Sequence, residues 1–228
     1  MATKLTPIAM NAEELTIQVA HHPLLRPVAF TTRFQRPLGE IQSPGWLLDL
    51  LDLEAPVPLE RDEALRMAVR DMLRHWGHRP AGRGKPASEY LVRAMGQGEL
   101  SSINVAVDIC NVVSLHSGLP IALVDLERAA PPFRVDRGAE GEGYVFNPAG
   151  QEMELKGLIC LYDAQGPCAN PVKDAQRVKT QDGTTGTLTV IWGVAGHEAR
   201  RDAALSWYRE LLERVGGEVG EAPLRVEG

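Results

Sequence analysis

The stretch Asn104-Val105-Ala106-Val107-Asp108-Ile109-Cys110-Asn111 sets three hydrogen-bonding side chains into one side of an otherwise apolar segment. In a helix, positions i, i+4 and i+7 fall on a single stripe. Ile103, Val105, Val107, Ile109, Cys110, Val112 and Val113 would then bury the remaining circumference against a core. Burying one unpaired amide costs roughly 2–7 kcal/mol, so Asn104, Asp108 and Asn111 must meet partners in the fold or in a bound molecule. The stripe is therefore either an internal polar clamp or the floor of a site.

The elements around that helix can be read from periodicity and breakers. Glu14 to Ala20 and Pro27 to Thr31 read as short strands separated by His21-His22-Pro23. The run Trp46 to Leu51 is helical and ends at the prolines of Ala55-Pro56-Val57-Pro58. Arg61 to Trp76 is a firmer helix, with Leu65, Ala68, Val69, Met72 and Leu73 at three- and four-residue spacing. A further helix follows Pro86, with Tyr90, Leu91, Ala94 and Met95 on its inner face, and Gly118-Leu119-Pro120 bounds the polar-striped one.

Beyond Gly118 the character changes to sheet: Ile121 to Val124, Tyr144 to Phe146, Leu158 to Tyr162 and Leu188 to Trp192 are short apolar or β-branched runs bounded by turn residues. Asp182-Gly183 is a hairpin signal. A last amphipathic helix spans Glu198 to Val215 and stops at Gly216-Gly217, leaving residues 218–228 as a frayed tail. The expected architecture is α+β, with helices packed on a mainly antiparallel sheet of one or two layers, formed by residues 1–217 as a single domain.

At 228 residues and 44% hydrophobic content the chain can bury a full core, and a net charge of −6 argues against a surface coated in positive charge. The opening Met1-Ala2-Thr3-Lys4-Leu5 carries no signal pattern, and no apolar run approaches the about 18 residues of a membrane span, which points to a cytoplasmic protein. The three cysteines, Cys110, Cys160 and Cys168, contain no CxxC pair. Cys110 and Cys160 read as core thiols, whereas Cys168 falls in a loop of glycine and prolines where a thiol could be exposed and reactive. The histidines show no metal-ligand spacing, and Gly82-Arg83-Gly84-Lys85-Pro86 lacks the spacing and the hydroxyl of a phosphate loop. Neither a metal nor a cofactor is expected.

One segregation of charge stands out in this acidic chain: from Arg74 through Lys85 there are four permanent cations, Arg74, Arg79, Arg83 and Lys85, and no acid. The proline-and-glycine loop that carries them is either a solvated surface turn or a contact for phosphates.

Val107-Asp108-Ile109-Cys110-Asn111-Val112-Val113-Ser114-Leu115, Gly118-Leu119-Pro120 and Val124-Asp125-Leu126 together fit the pattern VDxxNxxxLxxGxPxxxxDL. This run resembles the B3/B4 editing domain of the bacterial phenylalanyl-tRNA synthetase beta subunit. An arginine, Arg137, a Gly141-Glu142 pair and strands flanking Asn147-Pro148-Ala149-Gly150 follow in the order found there. The resemblance covers the region from Arg79 to Trp192, and the basic loop looks like that of stand-alone members of the family.

The resemblance implies a domain that hydrolyses misacylated tRNA. It places Asn111 in the pocket, Asp108 one turn earlier, and Gly118 and Pro120 at the turn after the helix. Where the synthetase domain has a histidine two residues after its proline, this chain has Ala122, and Asn170 to Arg177 replaces a glycine-rich segment with a glutamate. An activated ester needs no enzyme nucleophile, since positioned water and oxyanion donors suffice. In that reading Asn111 and Asp108 are the catalytic pair, and Asn104, Gly118, Pro120, Arg137, Glu142, Arg177 and Thr180 line the substrate. Arg74, Arg79, Arg83 and Lys85 hold tRNA. Asp108 and Asn104 could equally cap neighbouring backbone. Two other classes stay open: a tRNA- or amino-acid-binding module without catalysis, and a thiol hydrolase built on Cys168.

Overall fold

A computed structural model describes residues 15–227. The opening residues, including Glu14 of the expected first strand and the segment tested for a signal pattern, lie outside the described residues. In chain order the elements are β1 (Ile17–Val19), β2 (Val28–Arg33), α1 (Gly45–Asp49), α2 (Glu63–Arg74), α3 (Ala87–Gly96), α4 (Val105–Ser117), β3 (Ile121–Asp125), β4 (Phe133–Arg137), β5 (Gly143–Val145), β6 (Glu152–Glu154), β7 (Ile159–Asp163), β8 (Gly166–Ala169), β9 (Gly186–Ile191), α5 (Glu198–Arg214), β10 (Glu218–Glu221) and β11 (Leu224–Val226).

The architecture is α+β. A four-stranded antiparallel sheet runs β10-β2-β9-β3, a five-stranded mixed sheet runs β11-β1-β4-β7-β8, and β5 and β6 form a separate hairpin. In the mixed sheet β1 pairs in parallel with both β4 and β11, while β4, β7 and β8 are antiparallel. The segment 218–226, expected to fray, instead supplies an edge strand to each large sheet. Its alternation of Val219 and Leu224 with charged residues is too weak a pattern to read in isolation, and pairing with β2 and β1 supplies the order. Asp182-Gly183 makes a turn, closed by Thr184 N–H on the Gln181 carbonyl at 3.1 Å, that leads into β9 without a preceding strand, so no hairpin forms there.

Helix α4 is buried almost all round, including Asp108, Ser114 and His116, because it is enclosed by α1, α3, α5 and β3. Asn104 caps its start, accepting from Val107 N–H at 3.1 Å. Gly118 ends it at φ 77°, a left-handed conformation that glycine adopts without the penalty of a Cβ. Ile121 to Asp125 follows directly as a fully buried strand at the edge of its sheet. The main core runs from Phe30 and Trp192 through Ile109 to Tyr208, and a second cluster of Leu155, Leu158, Cys160, Tyr162 and Val172 fills the space under the β5–β6 hairpin.

Candidate functional site

The polar stripe resolves into three different roles. Asp108 is fully enclosed, and its carboxylate accepts from the Ser43 and Ser102 hydroxyls and from Ile103 N–H at 2.9 Å. It has no free face for a substrate, so the expected catalytic role is corrected to a structural one: it clamps the α4 entry to the segment before α1. Asn104 precedes the helix as its cap, and its Nδ2 donates to Thr180 Oγ1 at 3.1 Å. Asn111 is half-buried, and no partner for its amide is found among the described residues. Of the three, Asn111 alone keeps its hydrogen-bonding capacity open.

The opposite wall comes from the segment after β8. Lys173-Asp174 and Lys179-Thr180 bracket a short 3-10 segment, Gln176–Val178, and Thr180 meets Asn104. Asp174 Oδ2 accepts from Leu123 N–H at 3.2 Å, which satisfies a donor on the outer edge of β3 that no strand covers. Its Oδ1 is buried without a partner. Burial pushes the Asp174 carboxyl up to about 7, opposed by the Leu123 N–H and by Lys179, and Cys110, the residue before Asn111, feels the same charge. An unpaired buried acceptor therefore lies near Cys110 of α4. Sequence reasoning passed over Asp174. Its signal was a carboxylate set among Val172, Ala175 and Val178, all of which are buried.

Other expected site residues are engaged in structure. Arg177 makes a bidentate pair with Asp163, at 2.8 and 2.7 Å, and also donates to the Gly166 and Pro167 carbonyls. It locks the β7–β8 turn and does not face Asn111's wall through its side chain. Glu142 accepts from Tyr162 Oη at 2.6 Å and Ala139 N–H at 2.7 Å, holding the approach to β5. Gly118 and Pro120 shape the α4–β3 turn, with the Pro120 carbonyl accepting from Trp192 N–H at 3.0 Å. Arg137 ends β4 with an exposed side chain that has no partner among the described residues. Ala122, at the position of the family histidine, is buried in β3.

Cys168 belongs to β8 and is fully buried, with its thiol held well above its ordinary range by burial and by the nearby Asp163 charge. The exposed, reactive thiol expected from the glycine and prolines around it is absent, because β8 pairs with β7 and turns the side chain inward. A thiol hydrolase on Cys168 is excluded by this burial.

The basic loop is shaped from behind. His78 Nε2 meets the Gly84 carbonyl at 2.8 Å and Tyr90 Oη donates to the Gly82 carbonyl at 2.9 Å. A Cβ on Gly84 would come within 2.9 Å of the Arg79 carbonyl, so the loop closes only with glycine there. Arg79 and Arg83 are exposed, Lys85 half-buried, and none has a side-chain partner among the described residues. Arg74 stands apart: it lies in the last turn of α2 and pairs with Asp71 at 2.6 Å, so it is not one of the free loop cations.

Comparison with known proteins places this geometry. Over 93% of its length the chain superposes on an N-terminal fragment of the phenylalanyl-tRNA synthetase beta-subunit from Pyrococcus horikoshii, with a TM-score of 0.53 and 12% identity. It spans 52% of that fragment's length, and the likeness is one of fold. No curated protein matches the sequence. No helix among the described residues is long and apolar enough to cross a membrane. The sequence matches the family described as B3/4 domain over residues 81–209, more than half of the chain and the whole of the wall built by α4, β3 and the segment after β8. The chain belongs to the B3/4 domain family.

Proposed function

We propose that this protein binds tRNA and hydrolyses the ester of a misacylated tRNA with a positioned water. The observation that carries the reading is Asn111: on a helix whose other polar groups are capped or clamped, its amide is half-buried and has no partner among the described residues. A fixed amide can donate to an ester carbonyl and to the oxyanion that replaces it. Water adds to the carbonyl carbon, the bond to the ribose oxygen breaks, and the amino acid and the tRNA 3′ end are released. No cofactor is required for this step.

The rest of the site supports that role. Asp174, whose buried Oδ1 has no partner among the described residues and whose carboxyl burial pushes up to about 7, sets the charge behind Lys179. Asp108 acts at a distance, by fixing the start of α4. Gly118 and Pro120 set where α4 ends, Asn104 and Thr180 close one end of the wall, and Arg137 is an exposed cation with no side-chain partner among the described residues. Arg79, Arg83 and Lys85 give the phosphate backbone a place to rest.

Ala122 favours a second reading, a tRNA- or amino-acid-binding module without turnover, since a buried methyl replaces the family histidine. Purified protein incubated with a panel of aminoacyl-tRNAs separates the two. Ester loss above the buffer rate for at least one tRNA, reduced by Asn111→Ala, is the expected result; tRNA retention with no ester loss for any member of the panel selects the binding module.

A further inference from the structure

Three separate elements bring cations and aromatic rings together beside the site. Lys173 Nζ lies 4.0 Å from the centroid of Phe146, at the end of β5, and 5.3 Å from that of Tyr90 in α3. Lys179 Nζ donates to the Phe146 carbonyl at 2.7 Å. Arg83, from the basic loop, is near enough that its charge acts on both Lys173 and Tyr90.

The arrangement is held from beneath. Asn170 Oδ1 accepts from Lys173 N–H at 2.9 Å, the Lys173 carbonyl accepts from Tyr144 Oη at 2.6 Å, and Tyr90 Oη is tied to Gly82. Lys173 and Arg83 have no carboxylate partner among the described residues, and the acid that acts on Lys179 is Asp174, buried behind it. Burial and mutual repulsion with Arg83 and Lys179 hold the Lys173 ammonium below its ordinary range. Like charges fixed this close are unfavourable until an anion bridges them. A carboxylate would satisfy the cations and ignore the rings. A cationic ligand would suit the rings and be repelled by the cations. A nucleotide uses both, with phosphate on the cations and base on the ring, and base stacking on an aromatic side chain exceeds the cation–π contact it displaces.

We propose that Tyr90, Phe146, Lys173, Lys179 and Arg83 form a seat for one nucleotide of single-stranded RNA, whose phosphate bridges the cations and whose base takes the place of Lys173 on Phe146. The seat rests on the tRNA reading above and deepens it. Lys179 directly precedes Thr180, which is bonded to Asn104 at the head of α4, so a strand held here runs toward the wall that carries Asn111.

The probe is a fluorescently labelled, unacylated RNA octamer ending in CCA, the 3′ terminus common to tRNAs, with binding followed by anisotropy at several salt concentrations. Phe146→Leu and Lys173→Gln each weaken binding by about tenfold. Lys173→Gln and Arg83→Gln each flatten the log–log salt slope, by at most about 0.7, the contribution of the one phosphate the seat neutralises. Arg83 is exposed and has no side-chain partner among the described residues, so Arg83→Gln reports on the seat even if a variant at Lys173 fails to fold. No octamer binding by the unaltered protein, or unchanged affinity and slope in Phe146→Leu and Arg83→Gln, overturns the seat. Octamer binding that depends on these residues with no ester loss from any aminoacyl-tRNA leaves the seat standing and removes the hydrolase. Ester loss with unchanged KM in Phe146→Leu keeps the hydrolase and removes the seat.

Discussion

Asn104 Nδ2 donates to Thr180 Oγ1 at 3.1 Å while Asn104 Oδ1 accepts from Val107 N–H, so one amide both caps α4 and fastens it to a loop 76 residues further along the chain. The head of α4 is thereby joined to the segment after β8, two parts of the chain that approach each other only in the folded state. That relationship separates residues that build the site from residues that are open to a ligand.

Asp108 and Asn111 should part company on mutation. Asp108→Ala leaves Ser43, Ser102 and Ile103 N–H without their acceptor inside the protein and lowers stability by ~3 kcal/mol in urea unfolding. Asn111→Ala removes a side chain with no hydrogen-bond partner among the described residues and should shift the same curve by less than ~1 kcal/mol. A comparable loss in both variants would make Asn111 a core clamp and sink its assignment to the site.

The Arg177–Asp163 pair should respond asymmetrically. Asp163's side chain is fully buried while Arg177's is partly exposed. Arg177→Met strands an uncompensated carboxylate and should cost about 3–5 kcal/mol, whereas Asp163→Asn, which leaves a neutral amide and a cation that can reach water, costs less. Equal costs in chemical denaturation would contradict the burial difference.

Two buried groups should pull stability in opposite directions with pH. Burial, then the neighbouring His75, push His22 down to about 4, and its Nδ1 accepts from Leu24 and Leu25 N–H in the neutral form. Its folded value lies below the unfolded 6.5, so its contribution is complete above pH 6.5 and is lost as pH falls toward about 4. Asp174 behaves in the reverse sense: its value rises from 3.8 to about 7, with Lys179 opposing, so ionisation costs stability as pH climbs through that interval. His22→Gln should flatten the first dependence and Asp174→Asn the second. Thermal melts of the protein and both variants between pH 4 and pH 8 test this, and parallel curves for all three would refute it.

All three cysteines are buried, so an aromatic disulfide reagent should find no rapidly reacting thiol in the native protein and full reaction after unfolding. Cys168→Ala should leave any ester hydrolysis intact. Loss of hydrolysis in a folded Cys168→Ala protein would restore the thiol to the mechanism.

Local pattern was enough for much of this molecule. The three- and four-residue spacing of Leu65, Val69, Met72 and Leu73 fixed the buried face of α2, the Asn104 and Gly118 signals marked both ends of α4, and Ile121 to Val124 announced a strand, because caps, periodicity and β-branched runs act over a few residues. Strand β4 went unread, because its alternation of buried Phe133 and Val135 with charged neighbours is short and follows a Pro131-Pro132 breaker. The strands β10 and β11 were not legible either, since charged edge residues become a strand only when β2 and β1 offer them a ladder.

Three polar side chains on an apolar helix need partners whatever the fold, and that much is written in the order of residues from Asn104 to Asn111. Which partners they found depends on the packing of distant segments. Ser43 and Ser102 closed around Asp108, Thr180 took the Asn104 amide, and Asp174 was drawn to the uncovered edge of β3, while Asn111 has no partner among the described residues. Such contacts join residues distant in the chain, and their geometry follows from how helices and sheets pack, which no local pattern encodes.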